Sequence, residues 1–211
     1  MRSNFRPAGQ CGRSFIEDAR RAQIISCTIA TLAEVGYAQT SLARIAKRAG
    51  ISKGVISYHF AGKEELLVQV VLAVYSAGQE YMTPRITAEA SAPAMLAAYL
   101  QSNIEYIRDH SEQMAAVVEV VLNLRDADGT LRFISDATTA ESAVAGVESI
   151  LRMGQRDGDF REFDTRAMAW AVRDVIDGVQ QRRTLEGDLD FDTCIAELIN
   201  LFDLATRKVR S

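Results

Sequence analysis

Residues 40–67 read TSLARIAKRAGISKGVISYHFAGKEELL, and this stretch decides the predicted fold. Thr40 and Ser41 are residue types that cap helix N-termini, and Gly50 has the conformational freedom that a helix C-terminus favours. Between them, apolar residues recur at i, i+3, i+4 and i+7, at Leu42, Ile45, Ala46 and Ala49. We predict a short helix, a turn at Gly50 and a further helix that begins after Ser52.

A longer helix is predicted upstream of this stretch. Between Ile16 and Val35, apolar positions recur at helical spacing, and Gly36 follows as a stop signal. Three helices, of which the last two are joined by a short glycine-containing turn, form a helix-turn-helix domain. The sequence therefore predicts an all-α fold that begins with a three-helix helix-turn-helix domain.

The same turn also matches a catalytic pattern, because Gly50 to Gly54 reads G-x-S-x-G, as in the nucleophile elbow of serine hydrolases. An elbow follows a buried β-strand, whereas a basic amphipathic helix precedes Ser52. We therefore interpret Ser52 as an N-cap whose hydroxyl accepts a bond from a backbone N–H, and we expect no enzyme. His110 is too isolated for a metal site, and no pattern for a metal or cofactor was found.

Composition and charge indicate the broad class of protein. Hydrophobic residues make up 48% and charged residues 25% of the 211, with only 3 prolines, as in a helical globular protein. No apolar run is long enough for a membrane span, so a cytoplasmic protein is expected. Residues 1–67 hold ten basic and five acidic residues, although the whole chain has a net charge of -4. A basic head on an acidic body favours nucleic-acid binding by the head.

Helical geometry divides the helix after Ser52 into two faces. Ile56 and Phe60 are predicted to pack inward. The N-terminal part of a recognition helix contacts base edges, so Lys53 is predicted to contact guanine and Val55 a thymine methyl, while Gly54 lets the backbone approach closely. The remaining predicted contacts, mostly to phosphates, are Ser57, Tyr58, His59 and Lys63. Two alternatives remain open: Tyr58 covers the end of the first helix, and His59 is a neutral hydrogen-bonding residue.

Residues 24–67 resemble the DNA-binding head of the TetR family of bacterial transcriptional regulators. The resemblance rests on Gly36-Tyr37, Ile45-Ala46, Ala49-Gly50-Ile51-Ser52, Tyr58-His59-Phe60 and Lys63-Glu64-Glu65-Leu66-Leu67. It implies further DNA contacts from the start of the second helix, at Thr40, Ser41 and Arg44. The family usually has an aromatic residue where this chain has Ser57, so the contact made by that ring is in doubt here.

The resemblance also implies the organisation of the rest of the chain. We expect a flexible basic arm over residues 1–14, a helix-turn-helix DNA-binding domain over 15–67, and a helical ligand-binding and dimerisation domain over 68–211. Arg20, Arg21 and the arginines of the arm are expected to add phosphate or minor-groove contacts. The negative charge of the body slightly favours a cationic effector.

Two sets of residues are predicted in the body. Large or polar residues on inner helices are candidates for a small-molecule pocket: Tyr106, Glu119, Trp170 and Asp174. Apolar stripes on the last two helices are candidates for a homodimer interface: Ile176, Val179, Ile195, Leu198, Ile199 and Phe202. Such stripes are also typical of an intramolecular core, but a palindromic operator requires a symmetric dimer.

The sequence therefore predicts a TetR-type regulator, a repressor by resemblance, whose homodimer binds a palindromic DNA operator and is released by an effector of unknown identity. The alternative is a helical ligand carrier or interaction module that has lost DNA binding. Ser57 gives this alternative slight support. Salt-dependent binding to duplex DNA distinguishes the two, because a carrier shows none.

Overall fold

The computed structural model describes residues 8–135, 137–186 and 189–208, and the regular structure in these ranges is helical, which confirms the all-α prediction. The helices are α1 (Ala8–Gln39), α2 (Leu42–Ala49), α3 (Lys53–His59), α4 (Lys63–Thr87), α5 (Ala92–Asp109), α6 (Ser111–Asn123), α7 (Arg132–Ser135), α8 (Ala137–Asp157), α9 (Thr165–Glu186) and α10 (Phe191–Thr206). Among the described residues, no helix is long and apolar enough to cross a membrane.

The first of two compact units comprises residues 8–74 together with Ala115–Leu124. Helix α2 packs against both α1 and α3 in this unit. Its buried core joins the apolar faces of these helices and the start of α4, at Ile24, Ile45, Ala46, Ile56, Phe60 and Leu66. The inward packing predicted for Ile56 and Phe60 is therefore confirmed, and the opposite face of α3 is left exposed.

Gly36 interrupts α1, as the sequence predicts. Its backbone angles of φ 73° and ψ 173° are not helical, and residues with a side chain rarely adopt them. The Thr40 N–H then donates to the Tyr37 carbonyl over 3.3 Å, which closes the turn that leads into α2. This turn connects α1 to α2, and Ser41 follows it as the N-cap of α2.

The second unit comprises Tyr75–Met114 and the described residues from Arg125 onward. Helix α5 packs against α8, α9 and α10, and α8 also packs against α9. The core of this unit includes Leu100, Val147, Leu151, Val172 and Ile176, which are all buried. The apolar stripes on these helices thus meet inside one chain.

The packing groups the helices differently from the boundary expected at residue 67. Residues 68–74 and Ala115–Leu124 belong to the first unit, so α4 and α6 each contribute to both units. Sequence patterns could not show this, because a helix reads as continuous across such a division. Within the expected arm, α1 already begins at Ala8, so residues 8–14 are helical rather than a loose segment. Arg2 and Arg6 lie outside the described residues, as does the side chain of Arg13.

Candidate nucleic-acid interface

Local hydrogen bonds fix both ends of α2. At its N-terminus, Ser41 is the N-cap, and its hydroxyl accepts a bond from the Arg44 backbone N–H over 3.3 Å. At its C-terminus, Gly50 is left-handed with φ 65°, and the Ile51 N–H donates to the Ala46 carbonyl over 3.0 Å. Both caps agree with the sequence prediction, and the cap at Gly50 ends α2 just before α3 begins.

Ser52 occupies the N-cap position of α3, but its hydroxyl makes no capping hydrogen bond. Only its carbonyl is used, as the acceptor for the Val55 N–H over 3.1 Å. The position predicted for Ser52 is therefore correct and the predicted role of its hydroxyl is wrong. Spacing identifies an N-cap position but does not choose the side-chain rotamer on which the bond depends. Ser52 also lies between two helices rather than after a strand, unlike the serine of a nucleophile elbow.

The exposed side of α2 and α3 carries positive charge only. Residues 40–60 contain four basic residues and no carboxylate. The side chains of Arg44, Lys47 and Lys53 are exposed, as are Ser41, Gly54 and Ser57, whereas Val55 is half-buried. Arg48 is exposed too, but it forms an ion pair with Glu34. We name the surface made by Ser41, Arg44, Lys47, Lys53, Gly54 and Ser57 the basic face.

Tyr58 and His59 end α3 at the edge of the basic face. Tyr58 is 73% exposed, and its hydroxyl reaches Glu17 of α1 over 3.4 Å. The ring of His59 meets that of Tyr58 edge-on, with 5.0 Å between the ring centroids. Tyr58 thus touches α1 and remains accessible, so both interpretations made from the sequence describe part of its environment.

Thr40 and Lys63 have partners inside the protein. Thr40 is only 2% exposed, and its hydroxyl donates to the Gly36 carbonyl over 2.7 Å. This burial argues against the predicted DNA contact of Thr40. The Lys63 ammonium donates to the Tyr37 carbonyl over 3.1 Å and lies 4.5 Å from the centroid of the Tyr37 ring. Burial lowers the pKa of Lys63. Its half-buried side chain stabilises the turn between α1 and α2 through the contacts with Tyr37, which leaves it less accessible to a DNA phosphate.

Arg21 ties α1 to the end of α3. Its guanidinium donates to the His59 carbonyl and lies 4.4 Å from the centroid of the Phe60 ring. Arg20 donates to Gln23 on the same helix over 2.5 Å. Arg21 therefore holds the end of α3 against α1, and its expected phosphate contact stays a prediction. Periodicity could not show this, because the contact joins residues 38 positions apart.

This geometry agrees with the comparison with known proteins. A family model described as bacterial regulatory proteins of the tetR family matches residues 24–70, which contain α2, α3 and the start of α4. Residues 24–70 form a domain of the TetR family. The regulator BetI of Cronobacter sakazakii is 33% identical to this chain over 103 residues, which are 48% of this chain and 51% of that protein. The match thus spans about half the length of that relative.

Solved structures show a similar fold over most of the chain. The regulator FadR of Bacillus subtilis, solved in complex with stearoyl-CoA, has a TM-score of 0.73 at 22% identity and covers 85% of this chain and 96% of its own. AibR, solved with isovaleryl coenzyme A and operator DNA, has a TM-score of 0.71 at 19% identity and covers 86% of this chain and 97% of its own. At these identities the likeness concerns the fold.

The four residues predicted for an effector pocket lie in different environments. Tyr106 is buried in the second unit and stacks on His110 with 4.1 Å between ring centroids. Trp170 and Asp174 are exposed on α9. Glu119 belongs to the first unit, where its carboxylate accepts the Tyr37 backbone N–H over 2.7 Å. Within the second unit, Tyr106 therefore lies in the core and Trp170 and Asp174 lie at the surface, and the predicted pocket stays a prediction.

A small cavity of about 130 Å³ lies elsewhere in the second unit, between α5, α10 and the segment that holds Phe160. Its lining contains Leu96 and Leu100 of α5 and none of the four predicted pocket residues. Ile199 and Phe202, which were predicted at a dimer interface, line this cavity. We find no basic side chain in its lining.

The predicted interface residues also divide by burial. Ile176, Val179 and Phe202 are buried within the chain, so they belong to the intramolecular core that the sequence left as an alternative. Ile195, Leu198 and Ile199 are half-buried. The large apolar residues that the structure exposes on the last two helices are different ones, namely Trp170, Leu201 and Leu204. A periodic stripe alone does not distinguish the inner from the outer side of a helix that is apolar on both.

Proposed function

We propose that this protein is a TetR-type transcriptional regulator, a repressor, whose homodimer binds a palindromic DNA operator. The observation that carries the proposal is the basic face, where three exposed cations and an exposed glycine flank a capped turn and neither α2 nor α3 contains a carboxylate. Phosphates supply most of the affinity for such a surface, and Lys53 and Val55 supply base contacts. We propose that the protein acts in the cytoplasm.

Several predicted DNA contacts gain support from exposure. Ser41, Arg44, Lys53, Gly54, Ser57 and Tyr58 are all exposed, and Val55 and His59 are half-buried. Arg44 and Lys53 are proposed to carry the largest share of the affinity, since each holds a full charge on the open side of α2 or α3. Thr40 is left out because it is buried, and Lys63 is given a supporting role.

The dimer is proposed to form through α9 and α10. Leu201 and Leu204 lie three residues apart on α10, both are half exposed, and large apolar side chains on a helix surface favour a partner. A two-fold dimer places two recognition helices about 34–36 Å apart, one turn of DNA. This spacing explains why a single short helix such as α3 suffices for specific recognition.

Effector release is proposed to work by a population shift. A ligand that binds better to a dimer whose heads no longer match the operator lowers DNA affinity by no more than its differential affinity for the two states. AibR was solved with both a coenzyme A ester and operator DNA, and FadR with stearoyl-CoA. These structures support a small organic effector for the present chain.

The test is selection of bound sequences from a pool of random DNA duplexes with the purified full-length protein. We expect enrichment of a palindrome with half-sites one helical turn apart. Affinity for the selected duplex should then fall steeply with salt, with a slope of roughly 0.9 per phosphate contacted.

A matched pair of variants localises the binding. Arg44→Ala removes a charge from the basic face, and Arg156→Ala removes an exposed charge from α8 in the second unit. We expect Arg44→Ala to reduce both affinity and salt slope, and Arg156→Ala to change neither. Selection that enriches no sequence, with salt-independent weak binding, would instead support the ligand carrier.

A further inference from the structure

Arg173 of α9 lies largely inside the second unit. Its side chain is only 21% exposed, although an arginine on a surface helix normally extends into water. One guanidinium nitrogen, Nη1, donates to the Tyr99 hydroxyl oxygen over 3.0 Å and to the Asn103 amide oxygen over 3.3 Å. Both partners belong to α5 and are buried. A charge has therefore been placed among neutral polar groups at the edge of an apolar core.

The negative charge available to Arg173 inside the chain is small. Its Nη2 donates to the carboxylate of Asp177, one turn along α9, over 2.9 Å. That carboxylate is 67% exposed, so water screens most of its attraction. A cation removed from water needs a close counter-charge, and an exposed i,i+4 partner is a weak one. Burial opposes the charge of Arg173, but its neighbours Tyr99 and Asp177 raise its pKa, so the guanidinium stays positively charged inside the unit.

The groups around Arg173 also have more donors than acceptors. Within the part of the chain that the structure describes, the Tyr99 oxygen accepts from Arg173 while its phenolic proton has no acceptor. One Asn103 amide N–H donates to the Tyr99 carbonyl over 2.8 Å, which leaves the second N–H to donate elsewhere. Tyr75 of α4 interacts electrostatically with Asp177 and Arg173, and burial raises its pKa, so it too is a protonated donor.

A buried cation surrounded by surplus donors is the chemistry that recognises an anion. We propose that Arg173, with Tyr99 and Asn103, binds the carboxylate or phosphate of a small organic anion, and that this anion is the effector. The inference rests on the proposed function for its regulatory meaning. Tyr99 is also part of the apolar core that contains Val172 and Ile176, so an apolar chain on the anion would meet apolar side chains beside the site.

An anionic effector at this site differs from the cationic effector that the negative charge of the body favours. The net charge of a domain acts at long range and is screened within about 10 Å at ordinary salt. A partly buried guanidinium acts at contact distance, where screening is weak. Local chemistry therefore decides the sign of the ligand.

The experiment is calorimetric titration of the full-length protein, without DNA, with three probes of equal chain length: decanoate, decyl phosphate and decyltrimethylammonium. We expect one or both anions to bind and the cation not to bind. The two anions distinguish a carboxylate from a phosphate as the recognised group. Absence of binding by both anions, or equal binding of all three probes, would overturn the proposal.

Three variants test the assigned residues. Arg173→Gln should lower the binding affinity for the anion roughly tenfold or more, since it removes the charge that the ligand contacts. Asp177→Asn removes the internal competitor and should strengthen anion binding. The matched control is Arg152→Gln, another arginine paired to a carboxylate one turn away, which should leave anion affinity unchanged.

Asp177→Asn decides the question if Arg173→Gln does not fold. A purely structural arginine predicts no gain in anion affinity in Asp177→Asn, and that result would contradict the proposal. Tyr99→Phe keeps the ring and removes the phenolic donor, so it should lower the binding affinity for the anion. Operator binding is measured separately: anion binding without DNA binding refutes only the regulator function, and DNA binding without anion binding refutes only the effector site.

Discussion

At the scale of single residues, Gly36 controls the turn that precedes the helix-turn-helix motif. Its φ of 73° disfavours any side chain, and a Cβ there would lie 3.3 Å from the Glu119 carboxylate. We expect Gly36→Ala to lower the free energy of unfolding by about 1–3 kcal/mol, measured by urea denaturation. The control is Gly146→Ala on the open side of α8, where a Cβ meets nothing within 4 Å. That variant should be neutral or slightly stabilising.

Gly54 provides the opposite case on α3. It has no positive φ, and a Cβ there would meet only the Ser52 hydroxyl at 3.6 Å, an ordinary contact. Gly54→Ala should therefore stabilise the fold by about 0.5–1 kcal/mol and yet weaken operator binding, because a methyl group would separate the helix from DNA. Denaturation and DNA titration of the same variant test the two signs. Unchanged DNA affinity would show that the backbone at Gly54 does not approach DNA.

At the scale of elements, Ser41 combines the cap of α2 with a proposed phosphate contact. Ser41→Asp keeps a good N-cap and adds a charge that phosphates repel, so we expect unchanged stability and reduced DNA affinity. Ser41→Ala loses the cap and should lower stability by about 1 kcal/mol. Denaturation midpoints and DNA titrations of both variants separate the two roles. Equal DNA affinity in Ser41→Asp and in the unmodified protein would exclude Ser41 from the interface.

Asp190 caps α10 in a pH-dependent way. Its carboxylate accepts the Thr193 hydroxyl over 2.7 Å and the Thr193 N–H over 3.0 Å, and these bonds lower the pKa of Asp190. A carboxyl with a lower pKa in the folded state stabilises fully above its ordinary pKa and loses this effect as the pH falls through the folded value.

We therefore expect Asp190→Ala to have a lower melting temperature than the unmodified protein at pH 7. The difference in melting temperature should disappear as the pH falls below about 4. Asp190→Asn, which keeps a cap without titrating, should melt close to the unmodified protein at pH 7. A melting difference that stays constant from pH 7 to pH 3 would show that the capping carboxylate does not carry the effect.

At the scale of the whole molecule, the exposed leucines of α10 test the proposed dimer. Leu201→Glu combined with Leu204→Glu places two charges on a surface that the isolated chain leaves open, so the fold should survive and the dimer should dissociate. Sedimentation equilibrium measures the mass, and circular dichroism the helix content. Phe202→Ala is the contrasting variant: Phe202 is buried, so its loss should cost about 3–5 kcal/mol of stability. A double variant that remains dimeric would locate the interface elsewhere.

The sequence by itself determined the helix-turn-helix domain. Capping at Ser41, the stop at Gly36, the left-handed Gly50 and the inward Ile56 and Phe60 all depend on neighbours within a few residues. Features that depend on such short-range interactions can be predicted from the sequence. The exposed charge of Arg44 and Lys53 follows from the same periodicity, because the face opposite an apolar stripe points to water.

Only the tertiary structure decided the partners of individual side chains. Arg21 contacts the end of α3, Glu119 contacts Tyr37, and Arg173 reaches Tyr99, each across tens of positions in the chain. Phe202 and Leu204 lie two residues apart on α10, yet one is buried and the other exposed. Periodicity finds the faces of a helix, but which face meets another helix depends on packing, which is a property of the whole chain.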